Sequence, residues 1–181
     1  MKKIVLTNGL IAGAIVSVMF PITWPLMEKG VLDFDYGMIF GYGSMLIAFS
    51  MIFFGVKTFR DQYQGGVISF GKAFQIGILI TVIASVMYAL SWEVCYRTIA
   101  TDFTEKYTTR YLDKMAEEGA TASEIAAKKT EMESFNEMYK NPIVRFAFTA
   151  GMEIFPVGLL ITLISAALFR KRKFLSETSR V

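Results

Sequence analysis

Four ionisable residues, Glu93, Arg97, Arg145 and Glu153, stand in or beside long apolar stretches of this 181-residue chain. Charged groups inside a membrane are costly, so each is a candidate functional residue. Glu93 and Arg97 are four residues apart, the spacing of an ion pair on one helix face. Two carboxylates at similar depth could instead share a proton or bind a cation. We favour ion pairs that close one end of a helical bundle, and keep a small polar cavity for a cation or proton as the alternative.

Other reactive groups are scarce in this sequence. It has no histidine and a single cysteine, Cys95, which excludes histidine-dependent triads, histidine-ligated zinc and an internal disulfide. Neither a Walker phosphate-binding motif nor a serine in a nucleophile elbow is present. The sequence therefore favours a protein that is not an enzyme, and it indicates no catalytic residue, cofactor or metal ligand.

Long apolar stretches must position the charged candidates. We predict membrane spans at about 4–27, 36–56, 73–96 and 146–169. About twenty apolar residues, rising 1.5 Å each, cross the ~30 Å hydrocarbon core of a bilayer. The expected fold class is all-α, a four-span transmembrane helical bundle, with residues 1–181 forming a single integral membrane domain.

The polar segment of about 103–141 separates the third and fourth predicted spans. Phe103, Tyr107 and Tyr111 recur at four-residue spacing, which predicts an amphipathic helix. Gly119 is a plausible end for that helix, and the Thr121–Glu124 segment reads as a capping box that starts another. We therefore predict an extramembrane amphipathic helical hairpin. It is expected to pack on the bundle or the membrane surface, and a partner-binding role is the alternative.

Basic residues predict the orientation in the membrane. They fall on one side of the membrane if the chain crosses the membrane four times: Lys2, Lys3, Lys57, Arg60, Lys72 and the tail Arg170–Lys173. The positive-inside rule makes that side cytoplasmic, so both termini are expected inside and the helical hairpin outside. Trp24 and Trp92 then fall at the outer boundary, where tryptophan is typical of the lipid interface. The tail cluster is assigned to lipid headgroups, and no nucleic acid is expected.

Small residues indicate where helices approach each other. Gly9 and Gly13 form one ridge, and Gly37 and Gly41 form another. Such ridges allow close helix packing in lipid. We favour packing within one chain and keep a homo-oligomer as the alternative. Three mid-span hydroxyl residues are expected to bond their own helices: Ser44, Thr81 and Ser85.

Two groups of segments together resemble a known family. One comprises Phe54–Asp61, Gly65-Gly66 and Phe70–Phe74, and the other comprises Tyr139–Pro142, Glu153–Gly158 and the basic tail. The chain resembles the bacterial integral membrane proteins of the domain of unknown function family four-one-nine-nine. The resemblance implies four transmembrane helices in a bacterial inner membrane. It carries over no activity and no catalytic residue.

Two functions follow as expectations. The first is an accessory or scaffold component of the cell envelope, whose partners are the lipid bilayer and a membrane protein or a second copy. Its outer helices should pack on an apolar surface or a partner, without a continuous cavity. The second is a small oligomeric transporter or channel that uses Glu93 and Glu153. It requires a water-accessible polar cavity that reaches these glutamates.

Overall fold

The computed structural model describes residues 1–32 and 34–170. In those ranges the regular elements are all helices, which confirms the all-α class. They are α1 (Lys2–Glu28), α2 (Phe34–Tyr63), α3 (Phe70–Thr98), α4 (Phe103–Glu117), α5 (Ala122–Tyr139), α6 (Pro142–Phe148), a π-helical segment (Thr149–Ile154) and α7 (Phe155–Phe169). Three residues of the predicted basic tail cluster, Lys171, Arg172 and Lys173, lie outside the described residues.

Four helical stretches are long and apolar enough to cross a membrane: Lys2–Glu28, Ile39–Tyr63, Phe70–Thr98 and Pro142–Phe169. This confirms the predicted four-span, multi-pass bundle. The fourth stretch is composite, because α6, the π-helical segment and α7 follow one another without a loop. The assignment of the whole chain to one domain stays a prediction.

Helices α4 and α5 form a hairpin, here called the cap, between the third and fourth spans. Contacts tie it to the end of the bundle where α1 and α3 finish, here called the cap end. One is the ion pair between Lys106 of α4 and Glu28 of α1, at 2.6 Å. At the opposite end, Ile68 forms an isolated bridge with Arg170, just beyond α7.

Helix α3 forms the centre of the bundle and packs against α1, α2 and α7. Its buried residues Ile76 and Ile80 share one core with fully buried residues of its neighbours, among them Ala12, Phe49 and Ile52. The outer faces of the spans carry exposed apolar side chains such as Leu10, Leu46, Leu90 and Leu160. Apolar faces on both sides of a helix are typical of helices that pack on one side and meet lipid on the other.

A reciprocal pair of glycines and threonines joins α3 to α7. A Cβ atom at Gly77 would lie 2.7 Å from Cγ2 of Thr162, and one at Gly158 would overlap the methyl group of Thr81. Thr81 donates a hydrogen bond to the carbonyl of Gly77 at 3.0 Å. Its hydroxyl lies 3.3 Å from that of Thr162, which must donate because the Thr81 proton is already used. Each threonine thus fills the space above the other helix's glycine, a close approach of the kind small residues permit in lipid.

The glycines singled out from the sequence have different surroundings. Gly9 and Gly13 face α3, where added Cβ atoms would meet Ile83 and Met87. An added Cβ at Gly37 would overlap Met27 of α1, whereas one at Gly41 would meet nothing within 4 Å.

Mid-span hydroxyl groups follow the prediction in two of three cases. Ser44 donates to the carbonyl of Gly41 at 2.7 Å, and Thr81 bonds its own helix as described above. Ser85 differs, because within the described residues its buried hydroxyl has no hydrogen-bond partner.

The fourth span widens into a π-helix just before Pro156. The amide of Phe155 donates to the carbonyl of Ala150, five residues back instead of four. Proline has no amide hydrogen and its ring clashes with the preceding turn, so a widened turn relieves the mismatch. Single π-helical turns of this kind are frequent at functional sites. Glu153 lies in this turn.

We expect Gly13→Leu to lower the free energy of unfolding of the monomer by about 1–3 kcal/mol, because an added side chain has no room against Met87. Gly41→Leu is the matched control. This change should not lower the free energy of unfolding, since a Cβ at position 41 is unobstructed and leucine has a higher helix propensity than glycine. Denaturant titration of the purified monomer in micelles measures both. If Gly13→Leu only dissociated an oligomer, this ridge would belong to an interface between chains.

Candidate functional site

A buried ion pair joins the third and fourth spans at the cap end. The guanidinium of Arg145 donates from Nε to Oε2 of Glu93 and from Nη2 to Oε1, both at 2.7 Å. This two-point geometry is the strongest form of arginine–carboxylate contact. The Arg145 side chain is only 3% exposed, and that of Glu93 is 18% exposed.

Other groups complete the hydrogen bonding of this pair. Nη1 of Arg145 donates to the backbone carbonyl of Tyr139 at 2.9 Å, which ties the pair to the end of α5. The guanidinium also lies 4.0 Å from the ring centroid of Tyr96. Arg97 donates from Nε to Oε1 of Glu93 at 2.6 Å, although its own side chain is 61% exposed. Glu93, Arg97 and Arg145 are called the arginine–glutamate cluster below.

Local sequence explains why Arg145 points back toward α3. The chain ends α5 at Tyr139 and restarts at Pro142, a residue suited to the first turn of a helix. The side chain of Asn141 caps the new helix by accepting from the amide of Ile143 at 2.9 Å. Arg145 lies in the first turns of α6, where α6 packs against α3.

Both tryptophans take part in the contact between cap and bundle. Trp92 is 6% exposed, and its indole donates to the Tyr139 hydroxyl at 2.7 Å. Trp24 is 2% exposed and donates to the carbonyl of Ile99 at 2.9 Å. The expectation that these residues anchor in the lipid interface is therefore wrong. The cap covers them, and their polar atoms find partners inside the protein.

Tyr139 links α5 to the π-helical segment. Its hydroxyl lies 3.3 Å from that of Thr149. Burial raises the pKa of Tyr139 to about 12, so it remains protonated under ordinary conditions. Because it accepts the hydrogen bond of Trp92, its own proton is free to be donated to Thr149.

The predicted aromatic stripe of α4 begins at this contact. Phe103 packs on the rings of Trp24 and Trp92, with centroids 5.4 and 4.8 Å away. Tyr107 stacks on Phe103, and Tyr111 stacks on Tyr107. The first ring is thus held by the bundle, while Tyr107 and Tyr111 remain 36% and 39% exposed.

Glu153 has different surroundings from the arginine–glutamate cluster. It lies 11 residues after Pro142, roughly 16 Å along the span from the cap end. Its hydrogen-bonding neighbour is the hydroxyl of Tyr88 on α3. Within the described part of the chain, Glu153 forms no ion pair. The structure therefore brings together three of the four charged candidates and leaves the fourth apart.

Glu153 borders a cavity of about 470 Å³ beneath the cap, here called the cap cavity. Its lining comes mainly from the cap helices and from the start of the fourth span: Phe103, Thr104, Tyr107, Tyr111, Lys128, Glu131, Met132, Phe135, Asn136, Tyr139, Phe148 and Glu153. A smaller cavity of about 180 Å³ shares Phe103 and Tyr107 and reaches Gly41 and Tyr88.

The two glutamates can therefore do different chemistry. Glu93 is neutralised by two arginines, so its charge is committed to joining helices. Glu153 has a neutral hydrogen-bond neighbour and a cavity in front of it. In the described residues no group of three or more histidine, cysteine, aspartate or glutamate side chains could hold a metal ion. Neither Tyr88 nor Tyr139 was predicted as a site residue, because nothing in the sequence shows which tyrosines face a carboxylate or an indole.

A comparison with protein families adds the evolutionary context. The family profile described as Protein of unknown function (DUF4199) matches residues 7–171. The chain belongs to this family. The match covers the cap, both glutamates and nearly all of the four spans, which confirms the resemblance carried by the glycine- and proline-containing segments. No curated protein and no solved structure matches the chain.

We expect Arg145→Ala to lower the free energy of unfolding by about 3–5 kcal/mol, since it leaves Glu93 largely buried without its main partner. Arg97→Ala removes the exposed partner of the same carboxylate and should cost no more than about 1 kcal/mol. Unfolding the two variants in the same micelles compares their free energies of unfolding. Equal losses would contradict the assignment of Arg145 as the structural partner.

Proposed function

We propose that the protein is a non-enzymatic accessory or scaffold component of the bacterial inner membrane, with its cap on the outer side. The observation that carries the proposal is the arginine–glutamate cluster. It commits Glu93 and Arg145, two of the most chemically promising groups in the sequence, to holding the cap against the bundle. A preformed helical hairpin fixed at the membrane surface suits a scaffold, because it presents one shape to a partner.

The outer surface of α5 supports a binding role for the cap. Lys129, Glu133, Glu137 and Lys140 are each at least 60% exposed, and within the described residues their ion pairs run along α5, Lys129 with Glu133 and Lys140 with Glu137. Exposed pairs of this kind contribute little to stability. They are therefore available to exchange partners when another polar surface docks.

Orientation rests on the distribution of basic residues. Lys2, Lys3, Lys57, Arg60 and Lys72 belong to the half of the bundle away from the cap. The positive-inside rule then favours a cytoplasmic position for that end and for both termini.

A labelling experiment tests this orientation. In a Cys95→Ala background, we expect a cysteine at Ser123, in the cap, to react in intact cells with a reagent that cannot cross the inner membrane. A cysteine at Gln64, in the connection between α2 and α3, should react only after the membrane is opened. The reverse pattern would invert the proposed orientation.

Site-specific photocrosslinking in living cells tests the accessory role. A photoreactive amino acid at Lys129 or at Glu133 should give the same protein adduct, because both positions lie on the exposed surface of α5. The same amino acid at Leu163, an exposed apolar position of α7, is the matched control and should not give that adduct. If neither cap position gave a discrete protein adduct, the proposed scaffold role would be rejected.

One observation favours transport as a second candidate. The cap cavity reaches Glu153, and the alternative requires a cavity at an intramembrane glutamate. Beyond Glu153, however, the α3–α7 contact is tightly packed around Thr81 and Thr162, both fully buried. Transport would require this contact to open. Cation flux into reconstituted vesicles that is abolished by Glu153→Gln would favour transport over the scaffold role.

A further inference from the structure

One carboxyl group of the cap cavity, that of Glu153, has no cationic partner among the described residues. The charged lining residues of the cavity are Lys128, Glu131 and Glu153. Lys128 and Glu131 neutralise each other, since the ammonium lies 2.9 Å from both carboxylate oxygens. Glu153 has the hydroxyl of Tyr88 beside it and forms no ion pair within the described residues. An occupant that supplies one positive charge would therefore favour the ionised form of Glu153 and pair with it.

Aromatic rings form much of the remaining wall. Phe135 lies 5.1 Å from Phe148 and 5.4 Å from Tyr139, measured between ring centroids. Tyr107 and Tyr111 line the α4 side and stack on each other at 6.3 Å. Aromatic faces attract cations, most strongly organic cations that are already partly dehydrated. A carboxylate combined with several rings therefore selects an ammonium group attached to an apolar body.

The size and lining of the cavity narrow the range of possible occupants further. A volume of about 470 Å³ falls within the usual range for sites that bind small molecules. Polar side chains from the cap, including Thr104, Asn136 and the Lys128–Glu131 pair, also line the cavity. This arrangement suits a ligand that arrives from water. The cavity does not suit a divalent metal ion, because such an ion prefers six or more oxygen ligands and the lining supplies one unpaired carboxylate.

We propose that the cap cavity is a binding site for a small, water-soluble organic ammonium ion, with Glu153 as its counter-ion and the surrounding rings as its apolar wall. The site goes beyond the scaffold role. It does not require that anything cross the membrane, and it does not use the outer surface of α5.

Calorimetric titration of the purified full-length protein in maltoside micelles, which carry no charge, tests the proposal. The probe is benzyltrimethylammonium, which combines a quaternary ammonium group with one ring. We expect saturable binding of one equivalent. Phenylmethanesulfonate, similar in size and opposite in charge, should not bind.

Variants assign the binding to the cavity. Glu153→Gln should weaken binding at least about tenfold, because it removes the counter-ion and keeps a hydrogen-bonding group beside Tyr88. Phe135→Leu should also weaken binding, since it removes a ring and leaves an apolar side chain. Glu131→Gln is the matched control, because its charge is already paired with Lys128, and it should change the affinity by less than about threefold.

Several results would overturn the proposal. They are an absence of binding up to about 10 mM probe, equal binding of the sulfonate, or full affinity in both Glu153→Gln and Phe135→Leu. Unfolding curves identify any variant that fails to fold, and the other variant then decides the outcome. If the probe binds but photocrosslinking gives no discrete protein adduct, the scaffold role alone is rejected. If photocrosslinking gives the adduct but the probe does not bind, this site alone is rejected.

Discussion

The burial of Arg145 is the constraint on which the cap end of the structure depends. A guanidinium that is almost fully enclosed must have a carboxylate and further acceptors within reach, because an unpaired buried charge is very costly. Glu93 supplies both oxygens from α3, and the carbonyl of Tyr139 supplies a third acceptor. These bonds fix where α5 must end, where α6 must begin and how closely α6 approaches α3.

The same cluster determines the state of the second intramembrane carboxylate. Arg97 and Arg145 are both engaged by Glu93, and within the described residues Glu153 forms no ion pair. Its neighbours are instead a tyrosine hydroxyl and aromatic rings contributed by the cap. One glutamate thus acts as a structural tie and the other borders a cavity. They lie in different helices, and only their surroundings distinguish them.

Sequence patterns predicted the elements better than their mutual arrangement. Long apolar stretches indicate four spans because the bilayer requires a fixed length of helix. The capping box at the start of α5 was also predicted, and the backbone amide of Thr121 indeed donates to the Glu124 carboxylate at 2.8 Å. Counting residues along a helix, however, gives the depth of a residue in the membrane and not the direction in which its side chain points. Glu153 was therefore grouped with the arginines, whereas the π-helical segment and the position of α6 set it beside Tyr88.

Burial by the cap accounts for the other main discrepancy. Trp24 and Trp92 are at the expected end of the bundle, but no local pattern reveals that Phe103 will cover them. The packing role of Gly77 and Gly158 was not predicted for a related reason. Each is followed four residues later by a threonine, and this spacing gains meaning only when two antiparallel helices bring the pairs together.

That glycine–threonine contact has a consequence for how the sequence can evolve. Either glycine can gain a methyl group only if the threonine opposite becomes smaller, because each threonine occupies the space where the new atom would lie. A single change at one position produces an overpacked intermediate, whereas paired changes on α3 and α7 preserve the total volume. Gly77 with Thr162, and Gly158 with Thr81, are therefore expected to vary as linked pairs among related chains, with the size of one residue setting the permitted size of the other.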